Sequence, residues 1–360
     1  MSWFINIVRW PLLPLVIGYQ LVLWVRHKLY DWGVFPGYRL PRPVISVGNI
    51  QLGGTGKTPL VMTLIAQLES MGYRVGVLSR GYWRKRGSPD VVLIAGKTRN
   101  DLDWKSVGDE PWMIFQRLHK GGLGVGKHRY RVGLRLLEQQ DVDVFLLDDG
   151  LQHRQLIRDE DICLIDVSRW RFWPLLFPFT FLRDLPGTLK RVDAVILTRW
   201  EGREKSADRI DHWLARRTSA PVFRGYIRPV ALRQWPSGHR IDPEFFRSVP
   251  WLAFCGIANP DHFRETLTRM GLFPEEWFAY PDHHIYRESE VQRMLRASRS
   301  RGICHWITTE KDLVRMQEYL TPEVLEEVSV AVLEIRLELD RYPEFVSWLQ
   351  GVLFREQRKA

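Results

Sequence analysis

The amino-acid sequence predicts an α/β protein in which a mostly parallel β-sheet is flanked by helices and followed by a smaller C-terminal α/β domain. Short apolar runs typical of buried strands recur between residues 43 and 198. Segments in which apolar residues have helical spacing separate several of these runs, as in a parallel sheet. A second series of apolar runs begins at Trp251 and predicts the C-terminal domain.

A glycine-rich segment, residues 48–59, joins the first predicted strand to the first predicted helix. Residues 43–47 before it form an apolar run, and residues 60–68 after it have the spacing of a helix that packs on a sheet. The backbone N–H groups of such a turn, together with the N-terminus of the following helix, can bind a polyphosphate. The predicted nucleotide-binding residues are Gly53, Gly54, Thr55, Gly56, Lys57 and Thr58.

This segment predicts a P-loop NTPase-like fold, in which Lys57 reaches the β- and γ-phosphates and the Thr58 hydroxyl binds Mg²⁺. The match to the pattern G-x-x-x-x-G-K-[ST] has one defect, because Gln51 stands where the first glycine is expected. A glycine-rich turn that only packs well is the alternative interpretation. The strand before the turn, the helix after it and the Gly-Lys-Thr triplet together favour phosphate binding.

Two acidic pairs are the candidate metal-binding and proton-accepting groups. The apolar residues 144–147 are followed by Asp148 and Asp149. A carboxylate at that end of a strand can share a magnesium ion with the threonine of the phosphate loop. Asp109 and Glu110 stand at the start of a predicted helix, where capping explains acidic residues equally well. In a phosphate-binding protein, one of the two can accept a proton from an attacking hydroxyl and one can hold Mg²⁺.

Polar residues also follow two predicted strands at the edge where the ligands of open parallel sheets gather. Arg80 and Tyr82 come directly after the apolar run 74–79, and His153 follows the acidic pair at residues 148–149. We expect all three side chains at the mouth of the phosphate site. For Arg80 and Tyr82, an ordinary surface turn is an equally good interpretation.

The chain of 360 residues is basic, with a formal net charge of +10 and a pI of about 9.6. This charge indicates an anionic partner, namely nucleic acid, an acidic membrane surface or a phosphorylated substrate. Arginine and aromatic residues alternate in residues 169–183, but that segment is broken by prolines and does not resemble a nucleic-acid-binding module. We therefore expect no nucleic-acid partner, although a basic nucleic-acid-binding protein is the non-enzymatic alternative.

Residues 10–25 carry no charge and predict an N-terminal membrane-anchoring helix. A helix of this length is about 24 Å long, whereas the hydrocarbon core of a bilayer is about 30 Å thick. Tryptophans and basic residues near its ends favour an anchor that either spans the membrane or lies in its interface, over a signal peptide or a helix of the soluble part. The aromatic segment 169–183 is expected to dip into the lipid interface or grip acyl chains, with folding onto the core as the alternative.

The motifs of this chain, in their order, resemble those of the tetraacyldisaccharide 4'-kinases, the lipid A 4'-kinases of Gram-negative bacteria. The resemblance covers nearly the whole chain. The motifs that carry it are residues 47–49 with 53–59, 79–82, 108–111, 148–153, 256–260, 282–284 and 308–312.

The resemblance implies transfer of the γ-phosphate of ATP to the 4'-hydroxyl of a tetraacylated glucosamine disaccharide 1-phosphate, with ATP and Mg²⁺ as cofactors. It also implies a location at the bacterial inner membrane, with the active site on the cytoplasmic face. We expect a monomer. The predicted division is a membrane-anchoring helix at 1–30, a P-loop kinase domain at 31–225, a linker at 226–250 and a C-terminal α/β domain at 251–360.

The resemblance also implies roles for particular residues. Asp109 is the general base, and His283, which comes from the second domain, supports it and is preferred to His284 because it directly follows Asp282. Lys57 is the third catalytic residue. The residues at the positions where the family binds metal and nucleotide are Thr58, Glu110, Asp148 and Asp149. Arg80, Tyr82 and His153 take its positions for contact with the disaccharide.

One segment departs from the family pattern. Where the family has Leu-Leu-Pro-Ala-Gly-x-Leu-Arg-Glu, residues 176–184 read Leu-Phe-Pro-Phe-Thr-Phe-Leu-Arg-Asp, which leaves the acyl pattern of the substrate open. The second enzymatic interpretation is a membrane-associated regulatory P-loop NTPase. Such proteins commonly carry another lysine early in the loop, whereas this chain has Gln51 and Leu52 there.

Overall fold

The computed structural model describes residues 10–82, 84, 87–97, 102–201 and 207–357. Within these residues the chain forms one mixed sheet of thirteen strands. The strands are β1 Val44–Asn49, β2 Val75–Ser79, β3 Val91–Ile94, β4 Gly121–Val125, β5 Val144–Asp148, β6 Glu160–Asp166, β7 Ala194–Thr198, β8 Val222–Trp235, β9 Arg240–Ile241, β10 Leu252–Cys255, β11 Glu276–Ala279, β12 His305–Thr309 and β13 Ser329–Leu339.

The helices lie between these strands and at both ends of the described chain. The α-helices are α1 Leu13–Asp31, α2 Lys57–Ser70, α3 Trp104–Val107, α4 Asp109–Phe115, α5 Arg129–Gln139, α6 Ala207–Ala215, α7 Phe245–Ser248, α8 Pro260–Arg269, α9 Glu288–Arg301, α10 Glu310–Met316, α11 Pro322–Glu327 and α12 Tyr342–Gln357. Short 3₁₀ helices cover Trp10–Leu12, Val167–Arg169, Pro186–Arg191 and Gln317–Tyr319.

The sheet has the strand order β11-β10-β12-β13-β8-β7-β6-β1-β5-β2-β4-β3, and β9 pairs with β8. Neighbouring strands are parallel except in the pairs β13/β8, β3/β4 and β8/β9. In β2, Val77 packs in the same core cluster as α2 and α12, whereas Leu78 packs in the cluster that contains α5. Both faces of the sheet are therefore covered by helices, and the predicted mostly parallel sheet with flanking helices is confirmed.

A long antiparallel ribbon, made of β8 and β13, joins two parts of the sheet. The first part contains the strands β1 to β7, and the second part contains β10, β11 and β12. Strand β8 is parallel to β7 on one side and antiparallel to β13 on the other, and β13 is in turn parallel to β12. The segment 226–250, predicted as a turn-rich linker, thus contributes most of a strand. The last helix, α12, packs against the core of the first part through Phe345, Leu349 and Leu353. The predicted domain boundaries stay a prediction.

Strand β4 lies inside the sheet but was not predicted from the sequence, because three of its five residues are glycine. Glycine has a low strand propensity, which hides the strand from pattern analysis. The structure gives the reason for these glycines. A Cβ on Gly122 would lie 2.5 Å from the carbonyl oxygen of Leu93, and one on Gly124 would lie 2.5 Å from a methyl group of Val132 in α5. The two glycines lie on the same face of the strand and allow close approach of α5 and of the backbone of β3.

The N-terminal helix α1 corrects one expectation. None of the helices in the described part of the chain combines the length and the apolar character needed to cross a bilayer, so a membrane-spanning N-terminal helix is not supported. The physical reason lies in the second half of α1, which carries Arg26, His27, Lys28 and Asp31 after the apolar stretch. Residues 1–9 of the predicted anchor lie outside the described residues.

Candidate active site

The carboxyl edges of the two parallel parts of the sheet face each other along the β8/β13 ribbon. Strand β7 ends at Thr198, which pairs with Gly225 of β8. Strand β12 runs in the opposite direction and ends at Thr309, beside Leu333 of β13, which pairs with Leu232 of β8. The stretch of β8 from Gly225 to Leu232 therefore separates the two edges. Ligands of open parallel sheets bind outside such edges, and here two edges border one space.

A cavity of about 670 Å³ occupies this space and is lined by residues of both parts. Its polar lining from the first part includes Gly53, Gly54, Thr55, Gly56, Lys57, Thr58, Tyr82, Asp109, Glu110, Asp148, Asp149 and Arg183. Its polar lining from the second part includes Asn259, His262, Asp282, His283 and Lys311. The structure thus brings the residues predicted for nucleotide, metal and catalysis together at one cavity.

The glycine-rich turn between β1 and α2 is held in shape by buried hydrogen bonds. The Asn49 side-chain amide donates to Thr55 Oγ1 at 2.8 Å, and the Thr198 hydroxyl donates to the carbonyl oxygen of Thr55 at 2.8 Å. Gly53 and Gly56 have φ angles of 92° and 91°, a left-handed conformation that side chains disfavour. The loop therefore needs glycine at both positions, and it ends where α2 begins with Lys57.

Asp148, the last residue of β5, has features of a metal ligand. It is buried, its Oδ2 accepts a hydrogen bond from the Ser79 hydroxyl at 2.9 Å, and its Oδ1 has no hydrogen-bond partner. Burial, together with repulsion from Glu110 and Asp149, raises the pKa of Asp148 to about 7. An unpartnered buried carboxylate oxygen beside other carboxylates is a good fit for a divalent cation.

The carboxylates alone do not form a closed metal cage. Within the described ranges, no three side chains of His, Cys, Asp or Glu are grouped so that they can hold a metal ion. This arrangement suits Mg²⁺, which usually takes one or two protein carboxylates and completes its shell with phosphate oxygens and water. Asp148, Glu110 and the Thr58 hydroxyl line the same cavity as the glycine-rich loop, so they are placed to contribute ligands of this kind.

Asp149 differs from Asp148 because it already has two cationic partners. Its carboxylate forms an ion pair with Arg183, and its Oδ1 lies 3.6 Å from Nζ of Lys57. Burial acts to raise the pKa of Asp149, but Lys57 and Arg183 hold it well below the ordinary value. The metal-binding role of Asp149 stays a prediction, and its two partners weigh against it. Its observed contacts instead orient Lys57 beside the loop.

The second part of the chain supplies His283 to the carboxylate of Asp109. Nδ1 of His283 lies 3.0 Å from Oδ2 of Asp109, and the Asp109 side chain is almost fully buried. Asp109 begins α4 after Gly108, whose φ of 104° turns the chain into the helix, and its Oδ1 accepts a hydrogen bond from the backbone N–H of Glu110 at 2.9 Å. Burial acts to raise the pKa of Asp109, but the hydrogen bond from His283 and the charges of Lys311 and Arg315 hold it below the ordinary value.

Two cationic side chains of α10 lie against the acidic pair Asp109 and Glu110. Neither of them was given a role from the sequence. Lys311 Nζ is 2.9 Å from Oε1 of Glu110, and Arg315 Nε is 3.7 Å from Oδ2 of Asp109. The two residues are four positions apart, so they share one face of the helix. Lys311 belongs to the motif at residues 308–312, and this motif could have identified it as a site residue. Arg315 lies outside the motif, and no local pattern marks it.

The three residues predicted for the disaccharide lie near one another, but only Tyr82 lines the cavity. The Tyr82 hydroxyl accepts a hydrogen bond from Arg80 at 2.9 Å. Nδ1 of His153 lies 3.4 Å from Nη1 of Arg129, a residue without a predicted role. Burial, followed by the charges of Arg129, Arg158 and Arg80, lowers the pKa of His153 to about 3, so this imidazole is neutral among arginines. A cluster of this kind attracts an anionic group.

Comparisons with known proteins agree on one family. The model of the tetraacyldisaccharide-1-P 4'-kinase family, LpxK, matches residues 8–353. The tetraacyldisaccharide 4'-kinase of Syntrophus aciditrophicus is 36% identical over 306 residues, which cover 83% of this chain and 82% of that protein. The enzyme of the same name from Geobacter metallireducens is 36% identical over 323 residues, or 90% of this chain and 92% of that protein.

A solved structure gives the same result at the level of the fold. The crystal structure of LpxK from Aquifex aeolicus, described as an "apo" form in complex with ATP, superposes with a TM-score of 0.76. It is 28% identical in sequence, and the match covers 96% of this chain and 99% of that chain.

Proposed function

Because this chain belongs to the tetraacyldisaccharide-1-P 4'-kinase family and is a lipid A 4'-kinase, we propose that phosphoryl transfer takes place in the cavity between the two parts of the sheet. In this proposal ATP donates its γ-phosphate to the 4'-hydroxyl of a tetraacyldisaccharide 1-phosphate. The observation that carries the proposal is the contact between His283 and Asp109, because both side chains line the same cavity as the glycine-rich loop and a carboxylate so positioned can accept a proton.

The first part of the chain binds the nucleotide. The N–H groups of the loop and the N-terminus of α2 offer positive potential to the phosphates of ATP, and Lys57 neutralises charge on the β- and γ-phosphates. Asp149 and Arg183 hold Lys57 in position. Thr58, Asp148 and Glu110 are the groups that would hold Mg²⁺, whose charge, when bound, offsets that of the transferred phosphate.

Asp109 is the general base of the proposed reaction. Its carboxylate accepts the proton of the 4'-hydroxyl while that oxygen bonds to the γ-phosphorus, and the bond from phosphorus to the β–γ bridging oxygen breaks to release ADP. The low pKa of Asp109 keeps it ionised and ready to accept the proton. His283 donates a hydrogen bond to Oδ2 and so orients the carboxylate. Because His283 comes from the second part, the site is complete only when both parts are in contact.

The disaccharide 1-phosphate of the substrate is proposed to bind where Tyr82, Arg80, Arg129 and His153 lie. The guanidinium groups are suited to the phosphate and hydroxyl groups of a disaccharide monophosphate. Arg26 and His27 of α1 reach the same region, since Arg26 donates to the carbonyl oxygen of Gln152 at 3.0 Å and His27 Nε2 lies 2.8 Å from Oδ1 of Asp184.

We also propose that an apolar surface beside this region rests on the membrane. In the structure, α1 exposes Leu15, Ile17, Leu21, Val22 and Trp24, and the segment 170–182 exposes Trp173 and Phe177. The two elements touch through Trp10 and Phe179, whose ring centroids are 5.9 Å apart, and through Gln20, which donates to the carbonyl oxygen of Pro174 at 2.9 Å. A contiguous apolar surface of this kind, rimmed by arginine, fits the interface of the bacterial inner membrane on its cytoplasmic side.

The sequence allowed the aromatic segment either to contact lipid or to fold onto the core, and residues 170–182 do some of each in this proposal. Trp170, Leu176 and Leu182 are buried in a core cluster, whereas Trp173 and Phe177 remain exposed. We propose that the protein acts as a monomer, since the residues given a role in nucleotide binding and phosphoryl transfer meet at one cavity within a single chain.

The experiment that tests the proposed function compares Asp109→Asn with Asp103→Asn. Asp103 caps the neighbouring helix α3 through Ser106 and lies outside the cavity lining, so it is a matched control. With labelled ATP and a tetraacyldisaccharide 1-phosphate, Asp109→Asn should lower turnover by about 10²- to 10⁴-fold, while ATP binding measured by calorimetry is retained. Near-normal phosphoryl transfer by this variant would show that Asp109 is not the general base. ADP release by the unmodified protein at the same rate with and without the lipid would favour a regulatory NTPase.

A further inference from the structure

We propose that Lys311 is a positioning residue of the transfer site, which fixes His283 in the tautomer that donates a hydrogen bond from Nδ1 to Asp109. This inference rests on the proposed role of Asp109 as the base. It assigns a function to a side chain that reaches the cavity from α10, in the second part of the chain.

The contacts of Lys311 place its ammonium group between three neighbours. Its Nζ lies 3.1 Å from Nε2 of His283, 2.9 Å from Oε1 of Glu110 and 3.6 Å from Oδ1 of Asp282. The Lys311 side chain is only 16% exposed, so these contacts form in a largely dehydrated place where they are stronger than in water. The ammonium group therefore has a defined position beside the imidazole.

The donor and acceptor properties of these groups decide the tautomer. An ammonium group has three N–H donors and no acceptor, so a contact with Nε2 requires a lone pair on that nitrogen. A neutral imidazole carries one N–H, which must then be on Nδ1. Nδ1 is the atom that lies 3.0 Å from Oδ2 of Asp109. Lys311 thus ensures that the imidazole presents a hydrogen rather than a lone pair to the carboxylate.

Asp282 is the competing partner that makes this selection necessary. Its Oδ2 lies 3.9 Å from Nε2 of His283, which is longer than a hydrogen bond, but rotation of the Asp282 side chain would bring it to an N–H on that nitrogen if Lys311 were absent. In that tautomer the lone pair of Nδ1 would face the Asp109 carboxylate, and the hydrogen bond that orients the base would be lost. Lys311 prevents this in two ways, because it occupies the contact with Nε2 and also pairs with Asp282.

A buried network holds Lys311 in place. The Thr309 hydroxyl caps α10 by accepting a hydrogen bond from the backbone N–H of Asp312, one residue after Lys311. The Asp312 carboxylate is fully buried and accepts hydrogen bonds from Tyr286 at 2.8 Å and Arg315 at 2.7 Å. Because these bonds fix the first turn of α10, the position of Lys311 is set before substrate binds.

The test combines Lys311→Met with a control that removes another ion pair between the two parts. Lys105 in α3 pairs with Glu318 at 2.6 Å, outside the lining of the cavity, so Lys105→Met removes cross-part attraction without touching the imidazole. The protein is labelled with ¹⁵N-histidine, the signals of His283 are assigned with His283→Gln, and the tautomer is read from the ¹⁵N shifts of the two ring nitrogens at alkaline pH.

In the unmodified protein, and in Lys105→Met, Nε2 of His283 should have the shift of an unprotonated nitrogen. In Lys311→Met, protonated Nε2 should appear, and kcat should fall at least about tenfold while the KM for ATP changes less than about twofold. Lys311→Arg keeps a donor-only side chain and should preserve the tautomer and recover part of kcat.

A protonated Nε2 and an unprotonated Nδ1 in the unmodified protein would overturn the inference, and this measurement needs no Lys311 variant, only His283→Gln for the assignment. Unchanged histidine shifts in folded Lys311→Met, or an equal loss of kcat in Lys105→Met, would overturn it as well. The shifts are measured without turnover. A failed assignment of Asp109 as the base therefore shows in the Asp109→Asn assay, whereas a failed assignment of Lys311 shows in the histidine spectrum.

Discussion

His283 Nδ1 lies 3.0 Å from Oδ2 of Asp109, although 174 positions of the sequence separate the two residues. Asp109 begins a helix of the first part, and His283 lies in a turn after β11 in the second. Further ion pairs cross the same boundary, including Lys311 with Glu110 and Arg117 with Glu310. The contact of the two parts is thus built into the site that we propose for phosphoryl transfer.

Replacing His283 by Gln should lower turnover by about 10²-fold, because the carboxylate of Asp109 loses the group that orients it. His284 is the matched control. Its Nε2 lies 2.8 Å from Oε2 of Glu290 and its ring stacks on Tyr280, away from Asp109. Steady-state kinetics of His284→Gln should remain within about threefold of the unmodified enzyme. A larger loss in His284→Gln than in His283→Gln would reverse our choice between the two histidines.

The stability of the ligand-free protein should fall as the pH rises through the range set by Asp148. The pKa of this carboxyl is about 7 in the folded chain and 3.8 as its ordinary value, so between these values the folded state binds a proton that the unfolded state has released. Its contribution to the free energy of unfolding is therefore greatest below about pH 4 and decreases by about 1.4 kcal/mol per pH unit up to about pH 7.

Asp148→Asn isolates this effect, since the amide does not titrate and can still accept the hydrogen bond from Ser79. The free energy of unfolding of both proteins is measured in urea without metal or nucleotide, at about pH 5 and about pH 8. Relative to the unmodified protein, the variant should be more stable at about pH 8 than it is at about pH 5. An equal difference in the free energy of unfolding at both pH values would show that Asp148 is not protonated in the folded chain.

Gly48→Ala should destabilise the fold where β1 approaches the turn after β5. The added Cβ would lie 2.5 Å from Cβ of Leu151 and 2.7 Å from its backbone nitrogen, so the backbone must move. We expect a loss of about 2 kcal/mol or more in the free energy of unfolding. The control is Gly187→Ala, where nothing lies within 4 Å of the new Cβ and the change should be close to neutral. Equal stabilities of the two variants in urea would contradict this packing argument.

The double variant Leu21→Glu and Val22→Glu should bind vesicles of anionic phospholipid more weakly. Both side chains are more than half exposed on α1, so the fold does not depend on them, while each contributes apolar area to the proposed membrane surface. Loss of two such side chains should weaken binding at least about tenfold in a sedimentation assay. Phe273→Glu, a change at an exposed apolar residue of the second part, should leave vesicle binding unchanged. Equal binding by all three proteins would refute the proposed surface.

Much of the fold was accessible from local patterns. The strands β1, β2, β5, β6 and β7 each contain a short, mostly apolar run, so their identity does not depend on distant contacts. Strand β4 was missed because its glycines have a low strand propensity, and they become favourable only through the close packing of Val132 and Leu93. The sequence interpretation of residues 10–25 placed the basic residues after them at the rim of a membrane anchor. In the structure, Arg26, Lys28 and Asp31 continue the same helix, and no helix in the described part of the chain is long and apolar enough to span a membrane.

Some residues of the candidate site were likewise predictable from local sequence, and others were not. The sequence by itself determined the loop and the acidic pairs as candidates, because each is a local arrangement of residue types with a known chemistry. His283 was a candidate only through the resemblance of its motif to the family. Only the tertiary structure decided that Arg183 pairs with Asp149, that Arg129 lies beside His153, and that Lys311 lies beside His283. Each of these three contacts lies within one part of the sheet and joins residues from separate elements. The contact of Asp109 with His283, in contrast, depends on the register of β8 against β13, which sets two sheet edges face to face. Such a register is a property of the folded chain rather than of any local segment.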